Sequence, residues 1–378
     1  MRTIQAARDG NPSTVFDRAA GKYDGFVIAG ASGLIAERTV SGLSNLGIRP
    51  VAFADNNNAL QNTTRDGVPV LSPAEAICKH PNAVFVAAIF THTPLSRQLS
   101  ELGASRVVSY AALFHKFPNV FLPYFAVDHP SVIADQATLV TDAAEIWSDE
   151  ESRTLYSSIL NWFVTLDSDS VPAPLPASAT YIPELMELRK DEVFVDFGAF
   201  DGDTARHFAR ASHGRYRQII ALEPDPQTFQ KLSSCVGEID RVTALNAAAG
   251  AARGSMSFVA GGLASSHAAC AGAAGLSAPG KLVEVDVIRI DDLSPRPTYV
   301  KMDVEGFEQE ALAGARGLLA AGETAFAVTL YHRMSDLWQI PLYIHEAAPN
   351  LKLFLRHYAE DWAETICYAV PMDRVRQT

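Results

Sequence analysis

The sequence lacks a hydrophobic run long enough to cross a membrane. Its longest apolar stretch, 83–90, is far shorter than the ~20 residues that a membrane-spanning helix needs, and we interpret it as a buried strand. The N-terminal residues also lack the continuous apolar core of a signal peptide. These absences predict a cytoplasmic protein that has no membrane partner.

Cysteine is scarce, and acidic residues outnumber basic ones. The four cysteines have no paired spacing, which argues against a disulfide framework or a cysteine metal cluster and favours reduced packing residues. With 31 Lys and Arg against 43 Asp and Glu, the net charge is −12, which disfavours a nucleic acid as partner. A small anionic ligand in one basic pocket remains compatible with this charge.

The remaining composition is that of a folded protein. Hydrophobic residues make up 48% of the 378 residues and charged residues 20%, a balance that excludes a disordered or fibrous chain and predicts two or three domains.

Two segments repeat one arrangement: a buried strand, a turn with glycine, a helix, and a second strand that ends in an acid. The first covers 26–55 and closes with Asp55, and the second covers 193–223 and closes with Glu223. Strands that alternate with helices predict parallel sheets with right-handed crossovers. The predicted fold class is therefore α/β, with two doubly wound Rossmann-like domains whose ligands bind at the carboxyl ends of the strands.

We predict three parts along the chain. An N-terminal Rossmann-like domain covers 1–118, a helical connector with a proline-rich end covers 119–190, and a second domain covers 191–378. The second domain has seven candidate strands, of which the last two form a terminal pair. This pattern predicts a parallel sheet with one antiparallel strand at its end.

Acids surround the second glycine turn. Asp196, Asp201 and Asp203 flank a helix N-terminus, where they would repel a pyrophosphate by on the order of several kcal/mol if partly desolvated. They suit a cationic ligand such as S-adenosylmethionine, which carries an ammonium and a sulfonium. Glu223 is placed to accept the ribose hydroxyls of such a ligand. The alternative is that these acids only cap the turns, and helix capping is the favoured role of Asp203 taken singly.

The first glycine turn has the opposite character. No carboxylate lies between Gly30 and Glu37, so an anion could dock there, with Gly30, Ser32, Gly33 and Asp55 as candidate residues of a nucleotide or nucleotide-sugar site. The interpretation that we favour is a Rossmann-like module that serves as a scaffold or dimer surface.

Three motifs in the second half of the chain resemble the FkbM family of S-adenosylmethionine-dependent methyltransferases. They are VFVDFGAFDGDT at 193–204, ALEPDP at 221–226 and YVKMDVEGFE at 299–308. The resemblance covers roughly 180–370 and implies a class I methyltransferase fold for 191–378, with transfer of a methyl group to a hydroxyl of a sugar or natural product. It also favours a homodimer. Phe197 stands where a small aliphatic residue is commoner.

The resemblance places the cofactor against residues of these motifs and of the strand ends. The expected cofactor contacts are Asp196, Gly198, Ala199, Asp201, Gly202, Thr204, Glu223, Asn246 and Asp303. Of these, Asn246 is expected to meet the adenine edge.

Methyl transfer to a neutral alcohol needs a general base or a metal to remove the proton. Asp303 ends the fourth strand of the second domain and His332 follows the fifth, so our leading hypothesis makes His332 the base, oriented by Asp303. Glu305 either contacts substrate or a divalent cation, or is an acid favoured by the helix dipole. The sequence is compatible with a divalent metal at these acids and with none.

The acceptor is expected to be a small molecule or a saccharide. Candidate contacts are Ser266 and His267 in a loop and Arg356 and Tyr358 after the sixth strand, although a surface or packing role is the default for each. Two other functions remain open: an NAD-dependent oxidoreductase that uses the first turn, and a nucleotide-sugar-binding scaffold. The oxidoreductase is weakened because no Tyr-x-x-x-Lys pair follows the strand at 83–89.

Overall fold

The chain divides into two compact units in its structure, a computed structural model that describes residues 2–9, 13–260, 267–268 and 281–376. Unit 1 comprises 1–135 and 160–170, and unit 2 comprises 136–159 and 171–378. The segment 119–190 therefore contributes residues to both units, and the domain boundaries inferred from sequence stay a prediction. Within the described residues, no helix is both long and apolar enough to span a membrane.

Unit 1 contains a six-stranded sheet in the order β3-β4-β2-β1-β5-β6. Its strands are parallel except β3, which pairs antiparallel with β4. The strands are β1 (Phe26–Ala29), β2 (Ala52–Ala54), β3 (Thr64–Arg65), β4 (Val68–Leu71), β5 (Val84–Ala87) and β6 (Val107–Ser109). The helices are α1 (Arg2–Asp9), α2 (Ser13–Ala20), α3 (Leu34–Asn45), α4 (Pro73–Lys79), α5 (His92–Glu101), α6 (Tyr110–Lys116), α7 (Pro118–Phe121) and α8 (Ser131–Asp135).

Local sequence explains these elements. Every residue of β1 and β5 is buried, as expected for central strands of a parallel sheet. The start of α4 is fixed by a capping box, in which Ser72 accepts a hydrogen bond from the Glu75 N–H and the Glu75 side chain bonds back to Ser72, with Pro73 at the first helical position.

Unit 2 is built on the predicted seven-stranded sheet, in the order β16-β17-β15-β14-β7-β8-β9. The strands are β7 (Val193–Phe197), β8 (Gln218–Leu222), β9 (Val242–Leu245), β14 (Tyr299–Met302), β15 (Ala325–Thr329), β16 (Leu351–His357) and β17 (Thr365–Pro371). The antiparallel strand is β17, which lies between β15 and the edge strand β16. The sequence analysis expected that strand at the end of the sheet, and it is one position further in because β16 returns to form the edge.

A separate four-stranded sheet carries the hairpin of this unit. Its order is β10-β13-β11-β12, with β10 (Ala247–Ala249), β11 (Gly254–Ala260), β12 (His267–Ala268) and β13 (Lys281–Ile288). The helices are α9 (Ala137–Glu145), α10 (Glu150–Thr165), α11 (Asp203–Ala211), α12 (Pro226–Val236), α13 (Glu308–Ala313), α14 (Arg316–Ala321) and α15 (Asp336–Ala347). Of these, α10 contributes residues to both units.

Candidate active site

A cavity of about 500 Å³ opens at the carboxyl ends of the central strands of unit 2. This volume falls within the roughly 300–1,000 Å³ of small-molecule sites, and the position is where ligands bind in open α/β sheets. The lining residues are Ala177, Thr180, Tyr181, Phe197, Gly198, Phe200, Asp203, Thr204, His207, Glu223, Pro224, Ala247, Ala248, Ala249, Met256, Phe258, Lys301, Asp303, Val304, Glu305, Phe307, Tyr331 and Glu364.

The cavity is acidic. Five of its lining residues are carboxylic acids: Asp203, Glu223, Asp303, Glu305 and Glu364. The buried Lys301 does not offset them, because its Nζ lies 3.0 Å from Asp196 Oδ1 and donates to the carbonyl oxygens of Phe197 and Gly198 at 3.2 and 2.7 Å. Such a wall favours a cationic ligand over an anionic one.

Gly198 brings two strand ends together. Its φ of +74° is one that side chains disfavour, and a Cβ at this position would lie 1.8 Å from the Asp303 carbonyl oxygen. The close approach places the turn after β7 against the turn after β14, where Asp303 lies. Gly202 likewise has a φ of +84°, and a Cβ there would lie 2.7 Å from Val236.

Glu223 follows β8 and holds the turn after β7. Its Oε2 accepts a hydrogen bond from the Phe200 N–H at 3.0 Å, and its Oε1 accepts one from the Asp225 N–H at 2.9 Å. Burial raises the pKa of Glu223 to about 7 despite these bonds. Glu223 lies on the cavity wall, within reach of a ligand there.

Five residues expected to bind the cofactor are not on the cavity wall. Asp196 is fully buried and paired with Lys301, and Asn246 is exposed and donates to the carbonyl oxygens of Glu223 and Pro224. Asp201 accepts a hydrogen bond from the Asp203 N–H at 3.1 Å. Asp203 is the first residue of α11, whose N-cap is Gly202, so Asp203 does not have the capping role expected of it. Ala199 is buried behind the turn, as is Gly202, whereas Gly198, Thr204, Glu223 and Asp303 do line the cavity.

Asp303 is held by two tyrosines. Its Oδ2 accepts from the Tyr181 hydroxyl at 2.8 Å, and both its oxygens lie 3.2 Å from the Tyr331 hydroxyl. Both tyrosines line the cavity, and Tyr331 is a site residue that the sequence analysis missed although it directly precedes His332. The carboxylate of Asp303 is therefore fixed in orientation at the cavity wall.

His332 lies behind this carboxylate and not on the cavity wall. Its side chain is 4% exposed, with Nδ1 2.9 Å from Glu308 Oε1 and Nε2 3.5 Å from Asp303 Oδ1. Burial by itself would lower the pKa of His332, but Glu308, Glu305 and Asp303 raise it to about 10. This arrangement holds a protonated imidazolium, which departs from our expectation of a free general base.

Asp303, Glu305 and Glu308 surround His332 and form an acidic cluster with it. Of the two that line the cavity, Glu305 has fewer ion-pair and hydrogen-bond partners than Asp303. Although 32% of its side chain is exposed, desolvation raises its pKa to about 8, against the opposing effect of His332 with Nε2 at 3.7 Å. Its backbone φ is +54°, a strained value for a residue with a side chain. The neighbouring Glu308 instead accepts from the Val304 N–H at 3.0 Å and so supports the loop.

Ligating atoms of Asp303, Glu308 and His332 lie within 4.8 Å of one another, as a metal site would require. A histidine ligand must be neutral and offer a lone pair. Both ring nitrogens of His332 face carboxylates, and its raised pKa favours the charged form. In this structure the three residues form an ion-paired cluster.

The expected acceptor residues do not come together at the cavity. The Arg356 guanidinium lies 2.6 Å from Asp149 Oδ2 and 3.1 Å from Glu151 Oε2, and the Tyr358 hydroxyl bonds to the Tyr368 hydroxyl at 2.8 Å. Neither lines the cavity. Ser266 lies outside the described residues, as does the side chain of His267, whose backbone forms part of β12.

The candidate nucleotide turn of unit 1 is internally bonded. Asp55 Oδ2 accepts from the Ala31 N–H at 2.7 Å, and Asp55 Oδ1 accepts from the Asn57 N–H at 2.8 Å. Gly30 and Gly33 have φ of +91° and +92° on either side of Ser32. The acid expected to bind a ribose therefore holds its own turn, which is compatible with the scaffold interpretation.

The chain is similar to known proteins in its family model and in its fold. Residues 196–359 match the family model of the Methyltransferase FkbM domain. A crystal structure of Methyltransferase FkbM from Methylobacillus flagellatus KT has a TM-score of 0.75 and 22% identity, covering 97% of this chain and 98% of that chain. Precorrin-6y C5,15-methyltransferase from Geobacter metallireducens GS-15 has a TM-score of 0.33 and 16% identity, covering 51% and 87%. No curated protein sequence matches the chain.

The family match, on a domain with this sheet and this cavity, identifies the protein as an S-adenosylmethionine-dependent methyltransferase. More particularly, residues 196–359 form a domain of the FkbM methyltransferase family.

Proposed function

We propose that the protein transfers a methyl group from S-adenosylmethionine to a hydroxyl oxygen of a sugar, polysaccharide precursor or natural product. The observation that carries this proposal is the Glu305 carboxyl on the wall of an acidic cavity, with a pKa raised to about 8. A base with a pKa near the working pH is suited to take the proton of an alcohol. The acidic net charge supports a small-molecule acceptor over a nucleic acid.

The cofactor half of the proposal rests on Glu223 and the acids around it. S-adenosylmethionine supplies an electrophilic methyl group, whose bond to sulfur breaks as its bond to the acceptor oxygen forms. Glu223 would accept the ribose hydroxyls, and the carboxylates of Asp203 and Asp303 would attract the positive charges of the ligand. Gly198 lets the backbone approach closely enough for these groups to share one cavity.

For the proton transfer, the proposal gives Glu305, Asp303 and His332 a different role each. Glu305 takes the hydroxyl proton as the general base. Asp303, which is oriented by the two tyrosine hydroxyls, accepts a hydrogen bond from the acceptor or from the ligand ammonium. His332 touches neither, and we assign it as a positioning residue whose positive charge keeps Glu305 from titrating at a still higher pH.

Replacement of the base tests the proposal directly. Glu305→Gln is expected to reduce turnover by roughly 10²–10⁴-fold, since the proton then has no acceptor, while the Kd of S-adenosylhomocysteine by calorimetry changes less than about twofold. Glu310→Gln, an exposed acid on α13, is the control and should change neither quantity. Retained turnover in Glu305→Gln, or a product methylated on nitrogen or sulfur by mass spectrometry, would refute the proposal.

The role of His332 is tested by the pH profile. In the unaltered enzyme kcat/KM should rise as Glu305 loses its proton near pH 8. His332→Gln removes the nearby positive charge, so the pKa of Glu305 rises further and the profile moves to higher pH. If turnover is lost at every pH and cannot be recovered in alkali, His332 acts in the reaction itself.

Homodimerisation and a cytoplasmic location belong to the proposal as well. Sedimentation equilibrium of the full chain would decide the first, and fractionation of the producing cells would decide the second.

A further inference from the structure

The cavity has a wall of quite different chemistry from its acidic strand ends. Met256 and Phe258 line it from β11, and Phe307 lines it from the loop before α13. Met256 and Phe258 are two residues apart and so lie on one face of their strand. They pack in a single cluster with Phe307, Ala248 and Val285. This wall is a continuous apolar surface.

The same cavity offers little positive charge. Of the described residues that line it, Lys301 and His207 are the ones with a basic nitrogen, and the Lys301 ammonium already contacts Asp196 and two carbonyl oxygens. Arg333 lies beside the Glu305 loop, with its Nε 3.5 Å from a Cβ placed on Gly306, but it does not line the cavity.

The acids of the cavity wall would repel an anionic acceptor. Two like charges about 4 Å apart repel by roughly 4 kcal/mol at an effective dielectric constant of about 20. A phosphate or diphosphate beside Asp303 and Glu305 would face at least one such repulsion. Among the described residues of the lining, His207 alone has a basic nitrogen that is not already paired with an acid, against five carboxylic acids. An uncharged molecule would escape this cost and would gain from contact with the apolar wall.

We propose that the methyl acceptor is an uncharged alcohol with an apolar face, which packs against Met256, Phe258 and Phe307, and that sugar phosphates and nucleotide-sugars are not acceptors. The inference rests on the proposed hydroxyl methylation and narrows its substrate class. It places the acceptor hydroxyl at Glu305 and the body of the molecule on β11, so that the four-stranded sheet selects the acceptor.

Matched ligands test the substrate class. The protein saturated with S-adenosylhomocysteine is titrated with phenyl and octyl glycosides, and with the same sugars as 1-phosphates and as UDP-sugars, and binding is followed by calorimetry and saturation-transfer NMR. The glycosides are expected to bind at least about tenfold more tightly than their phosphorylated counterparts. Equal or tighter binding of the phosphorylated sugars, or no binding of any glycoside, overturns the inference.

Variants of the apolar wall locate the contact. Met256→Ser and Phe258→Ser should each weaken glycoside binding by about tenfold, while the Kd of S-adenosylhomocysteine stays within about twofold. Leu282→Ser is the control, because this side chain lies on the same sheet, is 61% exposed and does not line the cavity. Phe258 is buried and its variant could misfold, so the half-buried Met256 provides the independent variant. Unchanged glycoside binding in Met256→Ser, or an equal loss in Leu282→Ser, contradicts the proposed contact.

Product analysis separates this inference from the proposed function. The ligands that bind are then incubated with S-adenosylmethionine, and the methylated atom is identified by mass spectrometry and NMR. O-methylation of phosphorylated sugars at rates equal to the glycosides leaves the proposed function standing and overturns the acceptor class. Methylation of nitrogen or sulfur compounds, with none at a hydroxyl, overturns both.

Discussion

The two glycine turns of this chain carry the same hydrogen bonds and differ in what surrounds them. In unit 1 the Asp55 carboxylate accepts from Ala31 N–H and from its own i+2 N–H, and in unit 2 the Glu223 carboxylate accepts from Phe200 N–H and from its own i+2 N–H. In unit 2, however, the acid lies on the wall of a cavity of about 500 Å³ together with four further acids. An acid that follows the second strand of such a unit therefore stabilises the glycine turn after the first strand. Whether that acid also contacts a ligand depends on the residues around it.

The largest difference between the turns should appear when a methyl group is added to their glycines. Gly198→Ala places a Cβ 1.8 Å from the Asp303 carbonyl oxygen at a φ of +74°, so we expect loss of more than about 4 kcal/mol of unfolding free energy, or insoluble protein. Gly33→Ala has a similarly positive φ of +92° but nothing within 4 Å of the new Cβ, and should cost only about 1–3 kcal/mol. Urea unfolding followed by circular dichroism would measure both.

The comparison between the turns would be wrong if the two alanine variants lost the same stability. That result would mean that the backbone conformation dominates at both positions and that the close approach of the turns after β7 and β14 contributes little.

The next effect concerns ligand affinity. Glu223→Gln and Asp55→Asn each turn an oxygen that accepts a backbone N–H into an amide that cannot, so both should lose a similar stability of about 1–3 kcal/mol. Only Glu223→Gln should also weaken S-adenosylhomocysteine binding, by roughly 10–100-fold, because a charged acceptor of the ribose hydroxyls is lost. Calorimetry and thermal melting of both variants give the two readouts.

Weakened binding of the same ligand by Asp55→Asn would show that the turn of unit 1 takes part in the site. A titration of the unaltered protein with NAD provides the complementary check, since heat of binding there would favour a nucleotide role for Gly30, Ser32, Gly33 and Asp55 over the scaffold.

Sequence reasoning located the strands well, because central strands of parallel sheets are continuous apolar runs with recognisable turns after them. It also placed Glu223 and Asp303 on what proved to be one cavity, since both directly follow such strands. Sequence reasoning could not predict which charged residues form ion pairs with residues far away in the chain. Asp196 and Lys301 are register partners on β7 and β14, more than a hundred residues apart in the chain, and that pairing removes Asp196 from the site.

The same limit explains the other differences. Arg356 was a candidate for the acceptor because it follows a strand, but the fold pairs it with Asp149 and Glu151 near the start of α10. Glu364 was missed because it reaches the cavity only through the antiparallel pairing of β17 with β15. His332 was expected as a base because histidine titrates near neutrality, and three surrounding carboxylates change that.

The smallest expected effect is a release of protons when the cofactor binds to unit 2. Burial raises the pKa of Glu223 and of Glu364 to about 7, and of Glu305 to about 8, so these groups are partly protonated at pH 7. A cationic ligand favours the charged carboxylate, lowers these pKa values and expels protons, with about 0.5–1 proton expected at pH 7 and almost none below about pH 5 or above about pH 10. Calorimetry in phosphate and in Tris separates this release from the intrinsic heat of binding.

Two comparisons identify the source of the released protons: one between the two adenosyl ligands, and one between variants of the two glycine turns. S-adenosylmethionine should release more protons than S-adenosylhomocysteine, because only the former carries the sulfonium charge. Glu223→Gln should reduce the release, since one titrating group is gone, whereas Asp55→Asn should leave it unchanged because Asp55 does not face the cavity. Proton uptake on binding, or equal release by the two ligands, would mean that the acids at the strand ends of unit 2 do not meet the positive end of the cofactor. The negative charge around the glycine turn of unit 2 would then not explain why this turn binds a cationic ligand.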